Sequence, residues 1–353
     1  MKQPEYKLSF TTPAFLGNAE QNGQWRTPPF KALLRQWWRV AETAGQRPVT
    51  ADIRRREGEL FGQAADEGTT ASRVKLRLDW RGGTAPKARW KGLAPISHPE
   101  VTHKPGADLY LGYGPVDVGG TLKRETYIPA GESRKLSLGF PAAEAPRFEE
   151  VIRLVHLFGA LGSRCRNGWG SLHFEQGGLS AEELTALFDP ANRAGRDWLR
   201  RFSRGWKDAL DTDWCHALGK DDAGLLLWRT EAMQKWEDVL MTLAEVKIAF
   251  RTQFHFKGGG RHSTLCDRQL LSYPVTNHPL DAWGDARSAN QVLFKVFPTS
   301  GGYVGLVAHL PHSLPEPLVR RLSSADRPGL NAREQQVWSG VHAVLNDKLT
   351  RLP

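Results

Sequence analysis

The segment Thr27 to Arg39, TPPFKALLRQWWR, constrains the fold most, because its spacing defines one helix with two different faces. Apolar residues recur at the 3.6-residue period of a helix that packs on a core, namely at Phe30, Leu33, Leu34, Trp37 and Ala41. Lys31, Arg35 and Arg39 are four residues apart and form a cationic row beside this stripe, with Trp38 between them. Such a row fits a phosphate backbone, although solvated cations on an ordinary amphipathic helix are the more common case.

The charge balance favours a polyanionic partner. The chain of 353 residues has a net charge of +10, and residues 1–177, with 26 Lys and Arg against 18 Asp and Glu, account for +8 of it. A basic half of this kind is typical of proteins that bind nucleic acid. The thirteen tryptophans exceed what a core of this size requires, so some are candidates for stacking on bases.

Cysteine content and hydropathy indicate the compartment. Cys165, Cys215 and Cys266 have no paired spacing, which argues against a disulfide framework and favours a reducing environment. No long apolar span or signal peptide is recognisable in the sequence. We therefore expect a cytoplasmic protein that is not inserted in a membrane.

The order of predicted elements in the first half indicates an α+β fold. The predicted elements are a strand at 6–12, helices at 28–44 and 50–61, strands at 72–80 and 133–140, a helix at 148–161 and a strand at 170–175. This β-α-β-β-α-β order is ferredoxin-like, and its sheet serves many proteins as an RNA platform. Residues 82–108 have no period and are predicted to be a long functional excursion.

The second half shows fewer strands. We predict helices at 181–188, 192–210 and 223–251, a hairpin at 288–297 and 303–310, and a final helix at 331–349. The sequence thus predicts two ferredoxin-like (RRM-like) domains with helical and loop insertions, residues 1–177 and residues 178–353. The second domain is expected to be degenerate, because its strand count falls short of the full pattern.

A glycine-rich segment, GSRCRNGWGS at 162–171, lies between a predicted helix and a predicted strand. Its glycines allow close approach to a ligand, Arg164 and Arg166 supply charge, and Trp169 offers a stacking face. It is neither a Walker loop nor a Rossmann fingerprint, because it lacks the Gly-Lys-Ser/Thr ending and precedes a strand. A helix-to-strand turn with surface arginines is the alternative interpretation.

Together these residues resemble the RAMP superfamily of CRISPR effector proteins. The similarity is carried by TTPAFLG (11–17), RQWWR (35–39), ELFG (59–62), the glycine-rich segment, and RSANQVLFKV (287–296) followed by GGY. More narrowly, the sequence resembles the first-named RAMP subunit of type III-B (Cmr) complexes. Pro29 departs from the pattern, because the family commonly has a small hydroxyl residue there that can cap a phosphate.

The resemblance implies a non-catalytic RNA-binding subunit of an antiviral ribonucleoprotein, with no cofactor or metal. The implied partners are the guide RNA toward its 3′ end, its duplex with complementary target RNA, and other RAMP subunits. The implied RNA contacts are Lys31, Arg35, Arg39, Arg164 and Arg166, to which we add Trp38, Trp169, Lys257 and Arg261 of a basic glycine loop, and Arg287.

A metal-independent endoribonuclease is the alternative function. His98, His103 and Lys104 in the excursion have the chemistry for acid–base cleavage, and Asp108 or Asp117 is a candidate for the aspartate of a target-cutting subunit. No orienting partner is visible for any of them, so we favour binding over catalysis.

Two further possibilities are weaker. His262 with Cys266, and Cys215 with His216, have zinc-ligand chemistry, but no CxxC motif anchors them. A DNA-binding regulator would require a recognition helix that reads base edges in a duplex.

Overall fold

The structure is a computed structural model that describes every residue except 66–67, 81, 84, 86–89 and 125. Its strands are β1 (Glu5–Phe10), β2 (Gln63–Ala65), β3 (Gly68–Thr70), β4 (Lys75–Leu78), β5 (Ser133–Gly139), β6 (Leu172–Gln176), β7 (Ser203–Gly205), β8 (Leu218–Asp221), β9 (Gly224–Leu225), β10 (Leu227–Arg229), β11 (Val292–Thr299), β12 (Gly302–His309) and β13 (Thr350–Arg351). Its α-helices are α1 (Thr27–Thr43), α2 (Thr50–Phe61), α3 (Ala107–Gly112), α4 (Ala145–Phe158), α5 (Ala181–Phe188), α6 (Asp197–Arg200), α7 (Trp236–Thr252), α8 (Asp267–Leu271), α9 (Glu316–Arg321) and α10 (Leu330–Lys348). Positions 84 and 86–89 of the predicted excursion lie outside the described residues.

The first sheet has the strand order β4-β5-β1-β6 and is antiparallel throughout. In this sheet Tyr6 lies opposite Leu136, and Leu8 lies opposite Phe174. Since α1 follows β1 and α4 follows β5, the chain runs β-α-β-β-α-β, in the order that the sequence predicts. Helix α2, the β2–β3 hairpin and α3 are additions to this order.

The second sheet repeats this arrangement with the order β11-β12-β10-β13, again antiparallel. Helix α7 connects β10 to β11, and α10 connects β12 to β13. The sequence prediction of a helix over 223–251 is wrong in its first part, because β9 and β10 precede a helix that begins at Trp236. The predicted helix over 192–210 is also wrong, because this stretch contains α6 and the strand β7, which pairs with β8.

The second sheet is buried on both faces. Neighbouring residues of a strand point to opposite faces, and Leu293 and Phe297 of β11 belong to the hydrophobic cluster that contains α1 and α4. Phe294 and Val296 belong to the other cluster, with α7 and α10. Each cluster thus contains residues from both halves of the chain, and a domain boundary at residue 177 stays a prediction.

Helix α1 is held by the apolar stripe that its sequence predicts. Phe30, Leu33, Leu34, Trp37 and Ala41 are all buried. The Trp37 ring stacks on Phe158 of α4 with 5.0 Å between ring centroids. In the described part of the chain, no helix combines the length and apolar character needed to cross a membrane.

Candidate nucleic-acid interface

The cationic row of α1 faces a carboxylate on the neighbouring helix. Arg35 Nε donates a hydrogen bond to Glu57 Oε1 at 2.6 Å, and Arg39 Nη2 donates to the same oxygen at 2.8 Å. Burial opposes the ionisation of Glu57, but its hydrogen bonds from Arg39 and Arg35 outweigh burial and lower its pKa. These two cations of the row therefore share one negative charge.

These residues line a groove of about 750 Å³ between α1 and α2, which we call the α1–α2 groove. Arg35, Arg39, Arg54, Glu57 and Trp214 are among its lining residues. Lys31 lies beyond the groove, and burial together with the charges of Arg35 and Lys75 lowers its pKa. The end of the row nearest β4 is thus the more strongly positive.

The tryptophans predicted to stack on bases lie inside the protein. Trp38 is only 2% exposed, and its ring meets Phe61 of α2 edge to face. Trp169 is fully buried against Phe15 and Trp90. This burial corrects the expectation of two stacking faces, because the added helix α2 and the excursion cover positions that the local sequence pattern leaves open.

The two arginines of the glycine-rich loop have different surroundings. Arg166 is half-buried and donates to the carbonyl of Asn290, and its own carbonyl accepts a hydrogen bond from Phe294 N at 2.9 Å. It therefore ties the loop to the second sheet. Arg164 is exposed, and its Nε donates to the carbonyl of Tyr113 at 2.6 Å.

Arg164 also has an unusual backbone conformation, with a φ of 61°. This left-handed region costs a residue with a side chain about 1 kcal/mol or more. Glycine would adopt it freely, as Gly162 and Gly168 do in the same loop. Strain of this kind is often found at functional sites, and it draws attention to the arginine side chain at this position.

Arg164 borders a second depression of about 1010 Å³, which we call the loop cleft. Its walls are the segment before α1, the segment after α3 and the glycine-rich loop. The residues that line it are Phe15, Leu16, Gly17, Asn18, Gln21, Gly23, Arg26, Pro29, Gly114, Pro115, Leu122, Lys123, Arg124, Thr126, Gly162, Ser163 and Arg164.

The described residues that line the loop cleft carry an unbalanced positive charge. Arg26, Lys123, Arg124 and Arg164 are exposed, and the described residues that line the cleft include no acidic side chain. Arg124 Nε donates to the neutral amide oxygen of Gln21 at 2.9 Å, so its charge is not cancelled there. Concave surfaces of one sign concentrate the electrostatic field and attract ions of opposite sign.

One acidic side chain, Asp117, lies on the turn before Lys123, close enough to feel its charge. Asp117 accepts hydrogen bonds from Thr121, which are the main reason for its lowered pKa, and the charge of Lys123 adds to this effect. Asp117 does not line the loop cleft.

Hydrogen bonds between its walls fix the shape of the loop cleft. Gly23 N donates to Thr126 Oγ1 at 2.7 Å, and Ser163 N donates to the carbonyl of Phe15 at 2.9 Å. A Cβ atom at Gly23 would come within 2.8 Å of the Tyr127 backbone, so glycine is needed for this close approach. The cleft is therefore formed before any ligand binds.

The remaining predicted contacts divide into two groups. Arg287 is exposed and lies near Arg164. Although Arg164 is exposed as a residue, partial burial of its guanidinium and then the charge of Arg287 lower its pKa. Lys257 and Arg261 are also exposed, but neither lines the loop cleft, and Arg261 pairs with Asp281 at 3.1 Å.

Sequence reasoning missed Arg26, Lys123 and Arg124. The adjacent Lys-Arg pair in a glycine-rich stretch was the available signal.

The nuclease candidates do not assemble into an acid–base pair through hydrogen bonds of the described residues. His98 Nδ1 accepts from Glu100 N at 3.2 Å, and burial lowers the pKa of His98. Asp108 is buried and accepts from Trp90 Nε1 at 2.8 Å, which gives it a structural partner. His103 and Lys104 are exposed.

The zinc candidate histidines have other partners. His262 Nε2 is 2.9 Å from His278 Nδ1, while His216 Nδ1 faces the carbonyl of Trp214. Within the described ranges, no three His, Cys, Asp or Glu side chains are grouped as metal ligands would be.

A mixed α+β chain with a preformed cleft whose described lining is cationic has features of a nucleic-acid-binding protein. Residues 7–173, which include all of the loop cleft, match the family model of the RAMP superfamily. This segment, just under half of the chain, belongs to the RAMP superfamily.

Two solved structures are similar over nearly the whole chain. The crystal structure of apo Cmr1 from Pyrococcus furiosus has a TM-score of 0.49 and 14% identity, and the match covers 98% of this chain and 97% of that one. A structure of the type III-B Cmr-beta bound to cognate target RNA has a TM-score of 0.44 and 11% identity, with 96% and 99% covered. No curated protein is similar to the chain in sequence.

Proposed function

We propose that the chain is a non-catalytic RNA-binding subunit of a type III CRISPR ribonucleoprotein of the type III-B (Cmr) kind, and that the loop cleft binds the RNA. One observation carries the proposal: Arg26, Lys123, Arg124 and Arg164 surround a preformed cleft whose described lining has no acidic residue. Membership of the segment 7–173 in the RAMP superfamily supports it.

Binding in this cleft is electrostatic capture with little reading of bases. Arginine and lysine neutralise phosphates and release condensed counterions, so the affinity falls steeply as salt is added. Contacts to phosphate and sugar carry no sequence information. This suits a guide RNA, in which any sequence must be accepted.

The fold suggests how the chain is organised for this role. Both four-stranded sheets have the β-α-β-β-α-β order, so we propose two ferredoxin-like units within residues 1–177 and 178–353. We further propose guide RNA, its target duplex and other RAMP subunits as partners, in the cytoplasm.

The proposal is tested by reversing charge in the loop cleft. Arg26→Glu combined with Arg164→Glu is expected to weaken binding to unrelated RNA sequences by at least about tenfold and to lower the slope of log K against log salt by about 1.4, which is two phosphate contacts. Fluorescence anisotropy with labelled RNA, over a salt series, measures both effects.

A matched control changes the same charge elsewhere. Arg55 and Arg320 are exposed and each pairs with a glutamate one helical turn away. Arg55→Glu combined with Arg320→Glu should leave RNA affinity within about twofold of the parent, because these cations are distant from phosphates in our proposal. Equal weakening by both double variants would show only an effect of net charge and would contradict the proposal.

A further inference from the structure

The aromatic side chains of this protein are buried or half-buried with one exception among the described residues. Every Phe, Tyr and Trp lies in the described part of the chain, and Tyr113 is the only one that is exposed, at 43%. Exposing a large ring forgoes the free energy that its burial would supply. Its exposure at a single place therefore calls for a local explanation.

Tyr113 stands at the rim of the loop cleft. Its carbonyl accepts the hydrogen bond from Arg164 Nε at 2.6 Å, and the Lys123 ammonium lies 5.8 Å from its ring centroid. The next two residues, Gly114 and Pro115, line the cleft. The exposed ring therefore lies beside two of the four cleft cations, Lys123 and Arg164.

The backbone of Tyr113 is held firmly. It follows α3, whose Leu111 and Gly112 are buried, and the carbonyl of Gly112 accepts from Val116 N at 3.0 Å. A Cβ atom at Gly112 would lie 3.2 Å from Trp169 Nε1, so this end of α3 packs closely on the buried indole. A ring on such a base loses little conformational freedom when it meets a ligand.

We propose that Tyr113 stacks on an unpaired base of RNA bound in the loop cleft, which makes the cleft a site for single-stranded RNA in preference to duplex. This inference rests on the proposed function. In a duplex the bases are stacked on one another inside the helix, whereas an unpaired base can turn toward an aromatic side chain. Stacking accepts any base, as the binding of variable sequences requires.

The charges around the ring favour RNA over a protein as the occupant. Exposed tyrosines also occur at protein interfaces. A ring flanked by Lys123 and Arg164, above a cleft that includes Arg26 and Arg124, matches instead the pairing of stacking platforms with cationic grooves in proteins that bind single strands.

The test separates stacking from charge by using ligands with and without bases. The variants are Tyr113→Ala and Tyr113→Phe, and the ligands are a mixed-sequence single-stranded RNA, an abasic oligomer of equal length and an RNA duplex. Tyr113→Ala should weaken binding of the single strand by about fivefold or more. It should leave binding of the abasic oligomer and the duplex unchanged, and Tyr113→Phe should bind all three like the parent.

Each other result overturns the inference. Equal weakening on the single strand and on the abasic oligomer would show that the ring supports the cleft without contacting a base. If Tyr113→Ala bound every ligand with the affinity of the parent, Tyr113 would not contact RNA, and its exposed ring would be assigned to a protein interface. If the parent binds none of these RNAs, the proposed function itself fails, and this outcome differs from a parent that binds while Tyr113→Ala has no effect. Thermal unfolding of each variant verifies the fold.

Discussion

The α1–α2 groove and the loop cleft are both cationic, but they differ in what faces their cations. In the groove, Arg35 and Arg39 converge on Glu57, whose side chain is only 5% exposed. In the cleft, Arg124 and Arg164 hydrogen-bond to neutral oxygens, and the described residues that line the cleft include no carboxylate. Two arginines of the row on the helix thus share one carboxylate, whereas the set on the loops has no acidic side chain among its described lining residues.

This difference shows that the number of cations on a surface does not determine the electrostatic field that a bound ligand experiences. A phosphate that enters the groove must compete with a carboxylate already held by hydrogen bonds from two arginines. A phosphate that enters the cleft finds donors without an ionic partner among the described lining residues. We therefore expect the cleft to contribute most of the RNA affinity.

The largest expected effect on RNA affinity comes from removing the charges of the cleft and of the groove in separate variants, which tests the comparison directly. Replacing Arg26, Lys123, Arg124 and Arg164 together by Gln should weaken RNA binding by about 100-fold in low salt and lower the salt slope by about 2.8. Replacing Arg35, Arg39 and Glu57 together by Gln should weaken it by less than about threefold, because this surface loses little net charge. Anisotropy titrations at several salt concentrations measure both.

The reverse order of effects would contradict the comparison. If the groove variant lost most of the affinity while the cleft variant kept it, the helix row would be the RNA contact despite Glu57. Circular dichroism of both variants is the control for folding.

The sequence predicted the local part of this picture well. The stripe from Phe30 to Ala41 is buried as its period indicates, because helix periodicity is local in the chain. Glu57 is more distant in sequence, and nothing in its local pattern shows that it faces Arg35 and Arg39. The sharing of one carboxylate by two arginines of the row arises from tertiary packing, which the local sequence of the row does not show.

The parts that were missed depend on partners distant in sequence. Strand β10 has three residues and is defined by its pairing, with Trp228 opposite both Val307 and Arg351. The cleft likewise combines Arg26, Lys123 and Arg164, which occupy three loops without period. The resemblance of the glycine-rich segment pointed to Arg164, whereas the only signal for Lys123 was its place in an adjacent Lys-Arg pair.

Arg164 and Arg166 allow an exposed and a half-buried arginine to be compared within the glycine-rich loop. Arg164→Gly should weaken RNA binding by about fivefold and leave the free energy of unfolding within about 1 kcal/mol of the parent. The cation is lost, but glycine adopts the φ of 61° without strain, which offsets the lost hydrogen bond to the carbonyl of Tyr113. Anisotropy and chemical denaturation measure the two quantities.

Arg166→Ala is the matched control for this change. It removes the half-buried guanidinium that bonds to the Asn290 carbonyl, so it should lower the free energy of unfolding by about 1–2 kcal/mol. RNA affinity, measured where the variant is still folded, should change less than for Arg164→Gly. Equal effects on binding would mean that the loop acts as a unit and that exposure does not distinguish its two arginines.

The smallest expected effect on binding comes from Glu57 alone. Glu57→Gln should raise RNA affinity by about threefold, because removal of the carboxylate raises the net charge of the groove by one. The same change should lower the free energy of unfolding by about 1–2 kcal/mol, since Arg35 and Arg39 lose their ionic partner.

The pH dependence of stability gives an independent measure of this pair. Because the arginines lower the pKa of folded Glu57, the parent has an extra contribution to stability above the ordinary glutamate pKa of about 4.3, and this contribution is lost as the pH falls below about 5. Glu57→Gln has no carboxylate there, so its stability should fall less between pH 6 and pH 3 in denaturant titrations. If the variant and the parent lost stability equally over this range while RNA affinity stayed the same, pairing with Glu57 would not explain why the groove and the cleft differ.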